Sequence, residues 1–376
     1  MSLENSDALG RAGRLSCFCP PGVPVEDGAG GGAGLLAAGF SLAVLSQTLL
    51  LGVLPLAGLL LAPQPRWATL PYVAMLCGAA VATFPASLLL DSFGRRASFA
   101  LGASHGVAGG LVMAWALYAS AFAPFCLGAF WVGIAQGFGL FYRHEAAIGA
   151  GARNKALAAA QVFGAGALAG LIGPTLAGFA QNWTPSSPQL GIVLIASLAQ
   201  VAVLTLAMSS SGAAPLRQAV DVPGKAALTD ALAPTVLGAA AWFGMTALML
   251  STPSAMINCG IGSAAVFGAL SWHVIAMYAP SFFVEWLARR VGPKLIALTG
   301  LGLILAAKLA FGFASTTLDF TVLLVVIAIG WSLTTTAGTI WLHRNHSPSR
   351  ITLAAHDLCL FVAAIAGALA AGNFVQ

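Results

Sequence analysis

Charge is what this sequence lacks. Only 7% of its 376 residues are Asp, Glu, Lys or Arg, against about 25% in soluble domains. That excludes an ordinary water-soluble domain. The six cysteines, 17, 19, 77, 126, 259 and 359, are scattered over a polar N-terminal stretch, apolar runs and one connection. They offer no disulfide framework of the kind that staples small secreted domains. No glycine-rich phosphate loop ending in lysine occurs, so direct nucleotide drive is not expected. No run carries a pair of carboxylates near its middle, as proton-driven drug exporters tend to need. No cleavable signal peptide is apparent.

Long apolar stretches fill the space that charge leaves. Hydrophobic residues make up 59% of the chain. Eleven runs approach the ~20 residues that cross a bilayer as a helix: near 35–61, 68–90, 97–120, 122–142, 156–180, 190–210, 231–252, 265–288, 294–313, 320–341 and 351–372. A backbone in lipid must satisfy its own polar groups, so the runs are expected to be helices. The net charge of +5 reads as topology, with no nucleic-acid partner expected. Of sixteen Lys and Arg, Arg66 alone falls in an outer connection and Lys308 alone inside a run. The bias puts the N-terminus in the cytoplasm and, after eleven spans, the C-terminus outside. Gly is frequent, at 44 residues, which suits close helix packing in membranes.

The runs fall into two groups. Residues 1–34 read as a disordered cytoplasmic tail, 35–210 as a six-helix N-terminal bundle, 211–230 as a cytoplasmic linker, and 231–376 as a five-helix C-terminal bundle. The halves echo each other. Pro85 to Asp91, Gly94, Arg95 and Arg96 ends the second run. Pro280 to Glu285, Arg289 and Arg290 ends the eighth. The second arginine follows the proline by eleven residues in the first and by ten in the second. Such an internal repeat fits a two-halved transporter with its ligand site between the halves at mid-membrane. The charged residues of the two segments are then expected to gate the halves, with Asp91 pairing an arginine or a helix N-terminus.

Soft ligand atoms concentrate on two neighbouring runs. Met245-x-x-x-Met249 lies on the seventh and His273-x-x-x-Met277 on the eighth. One helical turn separates the members of each step, so each pair shares a face. Thioethers and an imidazole suit Cu(I). By helical rise, Met245 and His273 lie roughly 10–12 Å from the outer end and Met277 roughly 18 Å, with Met249 nearer the surface. If both faces meet a central cavity, the four form an inward ladder. Ordinary packing is the competing explanation, since Met fills irregular gaps. Met75 and Cys77 on the second run sit at similar depth and are expected to face this site.

These features carry a resemblance. Asp91-Ser-Phe-Gly94-Arg95-Arg96, Tyr142-Arg143 and Gly173-Pro174 resemble the signatures of the major facilitator superfamily over essentially the whole length. The resemblance implies an all-α integral membrane fold of two rocking bundles. The superfamily usually has twelve helices, and a twelfth is not seen here. The paired Met and His-Met steps resemble those of the CcoA-type copper importers, a group that also includes carriers resembling riboflavin importers. The stretch from Trp272 to Phe283 fits the wider group, so the Met-x-x-x-Met step is the more discriminating. The resemblance implies a non-enzymatic secondary transporter. It would import copper, as Cu(I) substrate, across the bacterial inner membrane for assembly of cbb3-type cytochrome c oxidase. Met245, Met249, His273 and Met277 would be its ligands, and a cytoplasmic copper acceptor or oxidase assembly factors its partners. Import of riboflavin or another small organic molecule is the first alternative. A non-transporting copper-binding assembly factor is the second.

Peripheral groups complete the expectations. Met256 and Cys259 are placed in the outer loop as a metal entrance, against incidental sulfurs. Cys17 and Cys19 are placed in the tail as a metal exit, against chance. His343 and His346 are expected to be solvated loop residues. Cys126 and Cys359 are expected to be small buried hydrophobes. Lys308 and Asp357 are costly in a span unless paired, snorkelling or functional.

Overall fold

The computed structural model describes residues 29–150, 154–210, 225–344 and 348–373. Twelve helices follow in order: α1 Ala29–Leu61, α2 Leu70–Tyr118, α3 Phe122–Gly149, α4 Lys155–Gly164, α5 Ala167–Trp183, α6 Pro188–Ser209, α7 Lys225–Asn258, α8 Ser263–Tyr278, α9 Ser281–Val291, α10 Pro293–Phe311, α11 Thr317–Arg344 and α12 Arg350–Asn373. Proline occupies the first turn of α2, α6 and α10, where its missing N–H has no intrahelical role.

Helix α2 is two spans in one. Its 49 residues would reach roughly 74 Å if straight, more than twice a bilayer core. Gly94 breaks it, with φ 76° and ψ −177°, a backbone geometry open to glycine and strained for other residues. The neighbours on α3 show the reversal. Met75 and Ala79 lie against Gly133 and Gly137, whereas Gly102 and Gly109 lie against Phe138 and Gly128. The first limb therefore runs parallel to α3 and the second antiparallel.

Nine helices of the described residues are long and apolar enough to cross a membrane. The pair formed by α8 and α9, bent by 42°, makes ten, and dividing α2 at Gly94 makes eleven, matching the run count. Helices α4 and α5 together form one of these spans. Helix α1 starts at Ala29 and α7 at Lys225, a few residues before the expected bundle starts at 35 and 231. Asn345, Ser347 and residues 1–28 lie outside the described residues.

The bundles meet along α5 and α8, where Gly166 abuts Tyr278 and Gly170 abuts Ile275. Small residues there let two backbones approach closely. Inside the first bundle a Cβ on Gly133 would overlap the backbone carbonyl oxygen of Met75. Gly133→Ala is therefore expected to force the first limb of α2 away from α3. A loss of about 1–3 kcal/mol is expected for such overpacking, read as a lower melting temperature of the purified protein.

Candidate functional site

The residues around Asp91 and Gly94 gather at one end of the molecule, called the inner end below, and the opposite end is called the outer end. A polar network closes it. Arg350 on α12 reaches Asp91 on α2 at 2.6 Å and Glu145 on α3 at 2.7 Å. Arg95 pairs with Glu145 at 2.6 Å. Deeper in, Arg143 on α3 holds Asp357 on α12 at 2.6 Å. Both bundles contribute to these pairs, so the contacts hold the inner end shut.

A cavity of about 80 Å³ lies at the centre, between the bundles. Four thioethers line it: Met75 from the first limb of α2, Met245 and Met249 from α7, and Met277 from α8. Phe40, Tyr278, Trp242 and Trp331 supply aromatic walls, and Gln47, Thr48, Gln136 and Thr246 supply polar atoms. Gln136 Oε1 and Trp331 Nε1 are buried without hydrogen-bond partners, so the wall offers an unmet acceptor and an unmet donor. Toward the outer end a second, apolar cavity of about 380 Å³ shares Leu51, Tyr72 and Met249 with the first and reaches Arg66. The arrangement is thus shut at one end, with cavities leading toward the other.

Three of the four expected ligands, Met245, Met249 and Met277, thus share one cavity, joined by Met75 from the opposite bundle. Cys77 does not line it. His273 behaves differently. It is fully buried, its Nδ1 lies 2.7 Å from the Leu324 carbonyl oxygen of α11, and it is not a cavity wall. A carbonyl only accepts, so Nδ1 donates and the neutral ring keeps its lone pair on Nε2. That Nε2 has no partner. Fixing one ring nitrogen on a carbonyl is how ligating histidines are commonly oriented. Among the described residues no group of three His, Cys, Asp or Glu side chains is gathered to hold a metal. A metal in the cavity would therefore rest on thioethers.

Several expectations need correction. Met256 is not in an outer loop. Helix α7 continues through Pro253 to Asn258, and Met256 is buried beside Phe320 and Leu324, so it lines no open entrance. Its apolar contacts with α8 and α11 carry the helix beyond the expected end. Cys259 is exposed just past α7. Cys359 is exposed and Cys126 half-buried, because their helix faces look outward. His343 is not solvated; it is buried and lies 3.1 Å from His144. His346, Cys17 and Cys19 lie outside the described residues.

The gating set divides. Asp91 and Arg95 join the closing network and Gly94 makes the turn, whereas Arg96 is exposed. In the second half Glu285 pairs with Arg289 one turn on along α9, and the Arg290 guanidinium lies 4.1 Å from the Trp286 ring centre. The segment of the second half therefore makes local contacts where that of the first half joins the closing network. Lys308 is exposed in the last turn of α10, within snorkelling reach of the outer surface. The sequence reading missed Arg350, His144 and the partnership of Arg143 with Asp357. Arg143-His144-Glu145 at the end of an apolar run, and His356-Asp357 inside another, were the available signals, because buried ionisable groups require partners.

No family model matches the sequence. The riboflavin transporter RfnT of Brucella anthropi is 30% identical over 333 residues, spanning 85% of this chain and 83% of that protein. The proton:xylose symporter XylE superposes with a TM-score of 0.70 at 14% identity, over 90% of this chain and 86% of that one. FucP, a major facilitator superfamily transporter in the outward conformation, gives 0.63 at 15% identity, over 91% and 95%. Eleven spans in two bundles, a central cavity shut at one end and a relative of this similarity along most of its length converge: the chain belongs to the major facilitator superfamily and is a secondary transporter, not an enzyme.

Proposed function

We propose that this transporter imports copper, as Cu(I), across the bacterial inner membrane for assembly of cbb3-type cytochrome c oxidase. The observation carrying this reading is the convergence of Met75, Met245, Met249 and Met277 on one cavity of about 80 Å³. Soft thioethers select Cu(I) over hard cations. The cavity is far smaller than the roughly 300–1,000 Å³ of pockets that enclose drug-sized molecules. Weak, stepwise ligands also suit a carrier, because the ion must leave again. His273 Nε2, with its lone pair free, would join the set after a modest rearrangement of α8.

A second reading, import of riboflavin, has its own support. The 30% identical relative is a riboflavin transporter, and among relatives of known activity this favours the flavin over the metal. The aromatic walls and the unmet Gln136 Oε1 and Trp331 Nε1 suit a flat heterocycle with amide groups. The adjoining outer cavity would supply the volume that the central one lacks.

The deciding experiment expresses the chain in cells lacking their own copper and riboflavin importers and measures both cargoes. Copper accumulation with restored haem–copper oxidase activity, and no riboflavin uptake, is the expected result. Growth rescue of a riboflavin auxotroph without copper accumulation would replace the first reading with the second. Accumulation of neither, with oxidase activity restored, would point to an assembly factor.

A further inference from the structure

We propose that a basic pocket at the inner end, framed by Lys294, Trp341 and Arg344, binds the head group of an anionic phospholipid. This goes beyond transport and does not rest on the identity of the cargo.

The pocket lies where α9 gives way to α10 and where α11 ends. A cavity of about 390 Å³ is lined there by Gly292, Pro293, Lys294, Trp341 and Arg344. Arg344 closes α11, and Arg350 opens α12 shortly after it and reaches Asp91 and Glu145 in the closing network. The pocket is therefore at the inner end, in the second bundle, and shares no residue with that network.

Its charges are unbalanced. Among the described residues neither Lys294 nor Arg344 has an ion-pair partner. From Ser281 to Arg344 the chain has two carboxylates. Glu285 is taken by Arg289, and Asp319 accepts the N–H groups of Ser315 and Thr316 at the far end of α11. Helix α10 adds to the positive field. Its N-cap is Gly292, no side chain caps it, and the first-turn N–H groups of Lys294 and Leu295 have no partner within the helix. A topological bias requires cations on one side of a membrane. It does not require two of them and an indole to line one cavity.

The neighbouring surface says which kind of anion fits. Trp286, Val291, Leu295 and Leu298 are exposed on α9 and α10 near the pocket. Leu295 and Leu298 share one face of α10, and that face leads from the pocket along a membrane span. An anion bound here meets hydrocarbon as well as water, which fits a phospholipid better than a soluble ion. Trp341 suits the same level, because indoles collect where head groups meet acyl chains. Arg344 offers a fork to phosphate oxygens and Lys294 a point charge. A zwitterionic head group brings its own ammonium to these two cations. A phosphatidylglycerol head group brings none, so the pocket selects the anionic lipid.

Native mass spectrometry tests this on the purified full chain, released from micelles holding equal phosphatidylglycerol and phosphatidylcholine. One cation near a lipid surface gives about a fivefold preference for negative charge. Wild type is therefore expected to retain phosphatidylglycerol over phosphatidylcholine by roughly twentyfold for the first bound lipid. Lys294→Gln with Arg344→Gln should lose most of that preference; both side chains are exposed, so the core is untouched. Arg66→Gln with Lys308→Gln removes the same charge toward the outer end and should leave the preference intact. Equal retention of both lipids by wild type overturns the proposal, as does an unchanged preference in the pocket variant. An equal loss in the two double variants also overturns it, because net charge and not a pocket would then be selecting the lipid. Excess inorganic phosphate separates the two sources of the anion. Phosphatidylglycerol that stays bound is the expected result, and its displacement would mark a free-phosphate site and overturn the lipid assignment. Each outcome is read whether or not copper or riboflavin is carried.

Discussion

Met277→Leu is expected to abolish copper uptake while leaving the protein folded. Leucine nearly matches methionine in volume, and such core exchanges usually cost less than about 1.5 kcal/mol. Packing is therefore retained as the sulfur is lost. A fall of at least tenfold in uptake is the expected size, equivalent to losing about 1.4 kcal/mol of binding. Met277→Cys should keep partial uptake, because a thiol is also a soft ligand. Pure packing predicts the reverse order, since the smaller cysteine leaves a void. Met277 is half-buried on the cavity wall, so a void there is cheaper than in the core and the contrast with ligation is cleaner. Radioactive or mass-spectrometric copper uptake at equal protein level makes the comparison. Full uptake by the leucine variant would remove Met277 from the ligand set.

Arg350→Met should unlock the inner end. One buried guanidinium serves two carboxylates from different elements, Asp91 on α2 and Glu145 on α3. Removing it leaves Glu145 buried with only Arg95. Breaking a buried pair by deleting one partner costs about 3–5 kcal/mol, all of it charged to the inward-shut arrangement. The variant is expected to rest with its inner end open, and cysteines introduced beside Gly94 should label from the cytoplasmic face at a much higher rate. Arg350→Lys should recover only part of the closure, because an ammonium cannot fork to two carboxylates as a guanidinium does. Unchanged labelling in Arg350→Met would mean that helix packing alone shuts the gate.

The parts of the fold that were legible in the sequence are those set by local rules. Apolar runs fix spans because lipid offers the backbone no alternative partner. Asp91, Gly94 and the arginines mark a tight turn between two spans, and the structure puts a positive φ at Gly94. The four-residue spacing of Met245 and Met249 put both on one helix face, and both line the cavity. His273 shows the limit of spacing. It is one turn from Met277, yet its ring turns to the Leu324 carbonyl on α11, a neighbour that no local pattern names. Met256 shows the same limit in a helix end, since burial against Phe320 and Leu324 extends α7 past the point where its sequence turns polar.

The sequence by itself determined the solvent, the span count, the two-halved plan and the residues with chemistry to offer. Each depends on composition or on spacing within one helix, and lipid enforces both. Only the tertiary structure decided which of those residues meet. Met75 joins Met245, Met249 and Met277 across the bundle boundary, and Arg143 finds Asp357 across 214 positions of chain. Such pairings follow from how helices cross and which faces they bury. That geometry is a property of all the spans together, and no single run contains it.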